Sequence, residues 1–194
     1  ESANIHSGIF MNGQVVLYQG KRVYSSEIPT EMVKKFHQMV KEDGYGLTAY
    51  NDKEFYLVES TDGAKDAYGF IHTNPPALNA DFYIDNPINM LLFICLPPAE
   101  EKYKVAFPNL DFLRNTPYSV DVISKGNSKA EGIKRFLEYL NQEDAETYAF
   151  GDGPNDIEML QAVTHPVAMG NAIPVLKELA EFITTNNTDN GIIN

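Results

Sequence analysis

Cysteine is nearly absent from this sequence, with one thiol, Cys95, in 194 residues. No disulfide framework can form within one chain, and the apolar run INMLLFICL around Cys95 marks it as a buried strand residue. A reducing cytoplasm fits this usage. Basic residues are also scarce: 15 Lys and Arg stand against 27 Asp and Glu, for a formal net charge of −12. Such a chain repels phosphate backbones and anionic lipid, so broad nucleic-acid binding and membrane adhesion are excluded. A small anionic substrate would need a locally positive site. No stretch reaches the roughly 18 apolar residues of a membrane span. The opening ESANIHSGIF lacks the charged and apolar regions of a signal peptide. Internal repeats and low-complexity segments are missing as well.

What is present is a 43% apolar chain, enough for one large domain or two small ones with a real core. Its organisation shows as changes of period. GIFMNGQVVLYQGKRVYSS alternates β-formers around Asn12-Gly13 and Gln19-Gly20, which predicts short antiparallel strands joined by tight turns. A helix is expected from Pro29 to Lys41, with Met32, Phe36, Met39 and Val40 on one face. YGLTAYN and EFYLVES read as strands around Asn51-Asp52, and Thr61 to Asp85 as a loop-rich connection with an edge strand in NADFYIDN. INMLLFICL is a strand buried on both faces, Pro98 to Phe107 a helix, and DFLRNTPYSVDVIS two more strands. This middle section is an α+β unit rich in antiparallel pairing.

After Ser124 helix and strand alternate strictly. Ser128 and Glu131 form an S-x-x-E capping box, continued by Ala130, Ile133, Leu137 and Leu140 as an apolar helix face. TYAFG, HPVAMG and EFITT are strands, separated by helices over Asn155 to Val163 and Pro174 to Glu181. That succession implies a parallel sheet covered by helices. The expected organisation is a connection and hairpin over 1–20, an α+β domain over 21–122 and an α/β domain over 123–194.

If TYAF is a parallel strand, Gly151 and Asp152 of FGDGPNDIEML sit at its carboxyl end, where open α/β sheets place their ligands. Gly153 permits a sharp turn, and Asn155 and Asp156 fall at the entrance of the next helix, able to cap amides or to face an anion. Capping alone would explain any one of them. Five ligand-capable or turn residues in six positions, followed by the apolar face of Ile157, Leu160 and Val163, point to a site. A calcium loop does not fit, since Ile157 stands at the sixth position and no acid closes the twelve-residue loop. A dinucleotide fingerprint fails at Asp156, where the third glycine should be. In SKGNSKAEG, Lys129 occupies the first turn of the helix capped by Ser128, so an ammonium and the positive end of a helix dipole share one place. A cation there is unfavourable unless something negative answers it. A solvated surface lysine is the other reading, and it suits Lys125 better.

Together SKGNSKAEGI, FGDGPNDIEML, VAMGNA and FITTNNTDNGI resemble the C-terminal motifs of the haloacid dehalogenase (HAD) superfamily, most closely its Cof-type sugar-phosphate phosphatase branch. The resemblance is clear from Val120 onward and fainter through FMNGQVVLYQGKRVY, which looks like the opening of that branch's C2 cap. It implies an α/β fold in which part of a Rossmannoid, three-layer core with a parallel sheet carries a second, α+β, C2-type cap domain. It implies that Lys129 contacts the transferred phosphoryl group, that Asp152 binds Mg2+, that Asn155 helps hold phosphate and that Asp156 supports the metal site. The implied activity is magnesium-dependent hydrolysis of a small phosphorylated metabolite through an aspartyl-phosphate. The family's D-x-D-x-T motif, source of the nucleophile, is not in this sequence: Asp81 and Asp85 are four apart, not two. The strand ending in a phosphate-binding Thr or Ser is also missing. Both are expected upstream of Glu1, and the chain as given is expected to be inactive alone. A catalytically silent regulatory protein and a sugar phosphomutase are the alternatives. Oligomeric state and substrate stay open, although Tyr50, Tyr56, Phe82 and Tyr83 could line a pocket if they do not belong to the core.

Overall fold

A computed structural model of the chain describes residues 6–193. The chain divides into two compact units: Ser25–Gly126 forms one, and the other joins the residues up to Tyr24 to the stretch from Asn127 onward. Among the described residues no helix is long and apolar enough to cross a membrane.

The chain begins with a three-stranded meander, β1 (Gly8–Phe10), β2 (Val15–Tyr18) and β3 (Lys21–Ser25), in the order β1-β2-β3. β1 and β2 are antiparallel, with Gly8 opposite Leu17 and Phe10 opposite Val15. Both expected tight turns are present. Gln19 and Gly20 have φ of 49° and 76°, the left-handed pair that suits a two-residue hairpin loop.

Unit Ser25–Gly126 is built on one sheet. Helix α1 (Thr30–Asp43) follows Pro29, places Glu31 in its first turn and Lys41 in its last, and buries Val33, Phe36 and Val40 at helical spacing. It packs on strands β4 (Gly46–Tyr50) and β5 (Phe55–Glu59), joined through Asn51, whose Oδ1 accepts the backbone N–H groups of Lys53 and Glu54 at 2.9 and 2.8 Å. After α2 (Gly63–Phe70) and α3 (Phe82–Asp85) come β6 (Met90–Ile94), α4 (Glu100–Ala106), β7 (Leu110–Leu113) and β8 (Ser119–Ser124). The sheet order is β5-β4-β6-β8-β7, and every pairing in it is antiparallel.

Two elements differ from the sequence reading of Thr61 to Asp85. The supposed loop holds α2, which buries Ala64, Ala67 and Tyr68; Gly63 and Gly69 in so short a segment conceal its periodicity. The supposed edge strand in NADFYIDN is the single turn α3. Adjacent Phe82 and Tyr83 are both buried, which alternation across a strand would not allow, and Asn86 Nδ2 donates to the Phe82 carbonyl at 2.9 Å.

The core of this unit is aromatic. Phe36 from α1 meets Phe93, Tyr103, Phe107 and Phe112 with ring centroids 5.5, 5.1, 4.9 and 6.2 Å away. Phe82 and Tyr83 are buried in the same cluster and Tyr56 packs against it, so these three belong to the core. Tyr50 instead shares a 2.7 Å hydrogen bond with the Tyr68 hydroxyl, which donates to Thr48 Oγ1 at 2.8 Å. Arg114 forks onto Glu100, Nε to Oε1 at 2.6 Å and Nη2 to Oε2 at 2.7 Å, and this holds the Glu100 carboxyl below its usual range despite burial. Cys95 is buried, as expected, and burial pushes its thiol up to about 11.

The other unit continues with α5 (Lys129–Leu140), β9 (Tyr148–Gly151), α6 (Ile157–Ala162), β10 (His165–Ala168), α7 (Pro174–Leu179) and β11 (Phe182–Ile183). The sheet order β11-β10-β9 is parallel, with Tyr148 beside His165 and Ala168 beside Ile183. Ala149, Leu160, Ala168, Met169, Ala172 and Leu176 form its core. The strand in INMLLFICL and the strand in TYAFG thus lie in different sheets. Near the crossings into the first unit, Asn127 Oδ1 accepts from the Tyr24 hydroxyl at 3.0 Å and from Arg135 Nη1 at 2.6 Å, with the guanidinium 4.0 Å from the Tyr24 ring centre.

Because Phe36 is fully buried at the centre of the aromatic cluster, Phe36→Ala should destabilise unit Ser25–Gly126 by about 3–5 kcal/mol, measured by urea denaturation.

Candidate active site

The site is assembled at the carboxyl end of β9, where Gly151 hands the chain to Asp152. A Cβ on Gly151 would lie 2.7 Å from Asp156 Cβ and 2.7 Å from Leu160 Cδ1, so only glycine lets the following turn fold back this closely. The turn is a short 3-10 segment, Pro154–Asp156, that leads into α6. Asp156 is 4% exposed, and both of its oxygens are engaged. Oδ2 accepts the backbone N–H groups of Asp152 at 2.9 Å and Gly153 at 3.1 Å; Oδ1 accepts from the Lys129 ammonium at 2.5 Å. Burial raises the Asp156 carboxyl, but Lys129 and the two N–H groups outweigh it and hold the group below the usual carboxylate range.

Lys129 stands where the capping pattern puts it. Ser128 Oγ accepts the Glu131 backbone N–H at 3.2 Å, while the Glu131 carboxylate lies 3.2 Å from Arg135 Nε one turn on. The Lys129 side chain is 31% exposed, and its ammonium reaches the buried Asp156 carboxylate. Lys125 belongs to the other compact unit and its side chain is exposed, 3.4 Å from the Pro108 carbonyl.

Asp152 is partly exposed beside this pair. Its Oδ2 accepts from Asn171 Nδ2 at 2.8 Å, and its carbonyl accepts the Ile173 N–H at 3.1 Å. Asn171 Oδ1 in turn accepts the Asn187 N–H at 3.0 Å. Asn155 Nδ2 donates to Asn12 Oδ1 at 3.2 Å. Lys129, Asp152, Asn155 and Asp156 therefore occupy one neighbourhood. Two further participants, Asn171 and Asn12, gave no chemical signal of their own in the sequence; Asn171 stood inside VAMGNA, and Asn12 read only as a turn residue.

Among the described residues no cluster of three or more His, Cys, Asp or Glu side chains is arranged for a metal. Asp152 fits a magnesium ion as a single carboxylate, since Mg2+ commonly keeps several waters and takes one or two carboxylates. Asp156 has both oxygens committed to Lys129 and the backbone, so its geometry suits bracing the loop that presents Asp152.

The family model of the haloacid dehalogenase-like hydrolases matches residues 2–194. The chain belongs to that family. It is a hydrolase by membership, with the family's α/β fold. It is 36% identical over 193 residues to the "Putative phosphatase YkrA" of Bacillus subtilis (strain 168), covering 99% of this chain and 75% of that one. A crystal structure of a hypothetical protein from Geobacillus kaustophilus HTA426 superposes with a TM-score of 0.87 at 32% identity, over 97% of this chain and 74% of that one. The HAD subclass IIB sugar phosphatase BT4131 superposes with a TM-score of 0.83 at 26% identity, over 97% and 73% of the two chains.

Replacing Asp156 by Ala leaves the Lys129 charge and two backbone N–H groups without their acceptor. Asp156→Ala should therefore cost about 2–4 kcal/mol at pH 7 by urea denaturation, somewhat less than a fully buried pair because Lys129 is partly solvated. The folded carboxyl titrates below its unfolded value, so this stabilisation is present above the unfolded value and is lost as pH falls through the folded one. The difference between wild type and variant should shrink below about pH 4.

Proposed function

We propose that the full-length protein is a magnesium-dependent phosphatase acting on small phosphate monoesters, sugar phosphates foremost, through an aspartyl-phosphate. One observation carries this reading: the Lys129 ammonium is held by the buried Asp156 carboxylate, beside a partly exposed carboxylate at the carboxyl end of a parallel strand. The phosphatase names of relatives such as YkrA and BT4131 support it.

In this reading the partly exposed Lys129 side chain also binds a phosphoryl oxygen. Because Asp156 fixes the ammonium before substrate arrives, little reorganisation is needed as charge spreads over the phosphoryl oxygens in the transition state. Asn155 donates to the phosphate through its amide. Asp152 holds the magnesium ion, and Asn171 fixes the Asp152 carboxylate by donating to one of its oxygens. When bound, magnesium supplies charge neutralisation at the phosphoryl group. The nucleophile comes from a D-x-D-x-T aspartate, which these 194 residues do not contain. Unit Ser25–Gly126 acts as the cap that selects the leaving group, and the enzyme works in the cytoplasm. Splitting hydrolysis into phosphoryl transfer and attack by water makes a very slow reaction feasible.

The experiment is steady-state hydrolysis of p-nitrophenyl phosphate and a sugar-phosphate panel by the full-length protein. Asp152→Asn should lower turnover at least about a hundredfold at saturating magnesium, the loss typical of removing one strong electrostatic contributor. Lys129→Ala should reduce kcat far more than Lys125→Ala, because only Lys129 is fixed against Asp156. Wild-type inactivity on the whole panel would favour a silent binding protein, and isomerisation of a sugar phosphate without phosphate release would favour a mutase.

A further inference from the structure

The turn between β1 and β2 is unusual in its backbone. Met11, Asn12 and Gly13 have φ of 53°, 54° and 90°, three left-handed residues in succession, two of which are not glycine. Residues held in that region persist only where the surroundings over-determine them, and such places cluster at functional sites. Here the surroundings are the start of α5. A Cβ on Gly13 would lie 2.0 Å from the Ser128 carbonyl oxygen and 2.7 Å from its carbon, so the turn lies directly on the residue that caps the helix of Lys129. Gly132, one turn on, completes the seat: a Cβ there would lie 3.0 Å from Gly13 Cα and 2.5 Å from Ile9 Cγ2. Two glycines thus clamp the hairpin to the first turn of α5. From that clamp the Asn12 side chain reaches Asn155, 143 residues away, and accepts from its Nδ2 at 3.2 Å.

We propose that Asn12 is a positioning residue that fixes the Asn155 amide for phosphate; this rests on the phosphatase reading given above. An amide nitrogen carries two protons. With one donated to Asn12, the rotation of the amide is set and the other proton is held in a fixed direction. The acceptor is itself anchored, through Gly13 and Ser128, to the element that carries Lys129. The turn therefore keeps the two phosphate-contacting side chains in register, in the way that outer partners orient groups which touch a ligand directly.

The test uses the full-length protein and Asn12→Gly, which removes the side chain while tolerating the left-handed backbone. With p-nitrophenyl phosphate as substrate and inorganic phosphate as competitive inhibitor, Asn12→Gly should raise KM and the phosphate inhibition constant about fivefold, with kcat changed less and no comparable loss of Tm. In an Asn155→Ala background the same substitution should have no further effect, because it acts through Asn155. Unchanged phosphate inhibition in Asn12→Gly, or equal effects of that substitution with and without Asn155, would overturn the proposal. Asp152→Asn is the control for the underlying reading: if it retains full activity, that reading fails, whereas an inactive Asp152→Asn alongside a silent Asn12→Gly rejects only the positioning role. Should Asn12→Gly not fold, the wild-type protein still decides. The Asn155 side-chain amide, identified in a nitrogen-15 spectrum by its absence from Asn155→Ala, should have one proton that exchanges with solvent much more slowly than the other, the one donated to Asn12. Equally fast exchange of both protons would overturn the assignment.

Discussion

The geometry at the end of β9 depends on one buried carboxylate. Asp156 gathers the Lys129 ammonium from a helix 27 residues upstream and two backbone N–H groups from its own turn. Unpaired, such a charge could not stay buried and ionised. Paired, it converts a flexible lysine stem into a fixed cation and curls the Asp152-Gly153 segment around a single oxygen. The absence of a side chain at Gly151 is the steric condition for that curl. Each later feature inherits these positions: the direction of the Asp152 carboxylate, the place of Asn155 on the 3-10 turn, and the start of α6.

The unit that holds the site is discontinuous in sequence. Its first piece ends at Tyr24 and its second begins at Asn127, and these two ends are joined by the Tyr24–Asn127 hydrogen bond and by Arg135, which bonds Asn127 and lies over the Tyr24 ring. Residues 25–126 can therefore form an independent aromatic-cored unit without pulling the hairpin away from α5. Such insertion between adjacent chain positions is compatible with separate folding of each part.

Local signals made much of this legible. Ser128 with Glu131 announced the helix start, the apolar spacing of Phe36 and Val40 announced α1, and Gly151 to Asp156 announced a turn rich in ligand oxygens at a strand end. Where the signal was short or diluted, the reading missed: glycines at both ends of α2 hid an eight-residue helix, and four residues over Phe82–Asp85 fit alternation as well as a helical turn. The partners across the site were beyond reach for another reason. Lys129 with Asp156, Asn12 with Asn155 and Asn171 with Asp152 are pairings between distant segments, and no local period encodes which carboxylate or amide a side chain will meet. A resemblance to known motifs singled out Lys129, Asp152, Asn155 and Asp156 as candidates, but the bonds they make follow from tertiary closure alone.

Cys95 directly follows β6 in the aromatic-cored unit, beside Arg114, with its thiol pushed up to about 11. Burial thus disfavours the thiolate that reacts with electrophiles and also limits access to the sulfur. Cys95 is therefore a poor target for electrophiles beside any exposed thiol. A thiol introduced on the surface of either unit would take up maleimide dyes ahead of Cys95, so each unit could be labelled without first rebuilding the aromatic core.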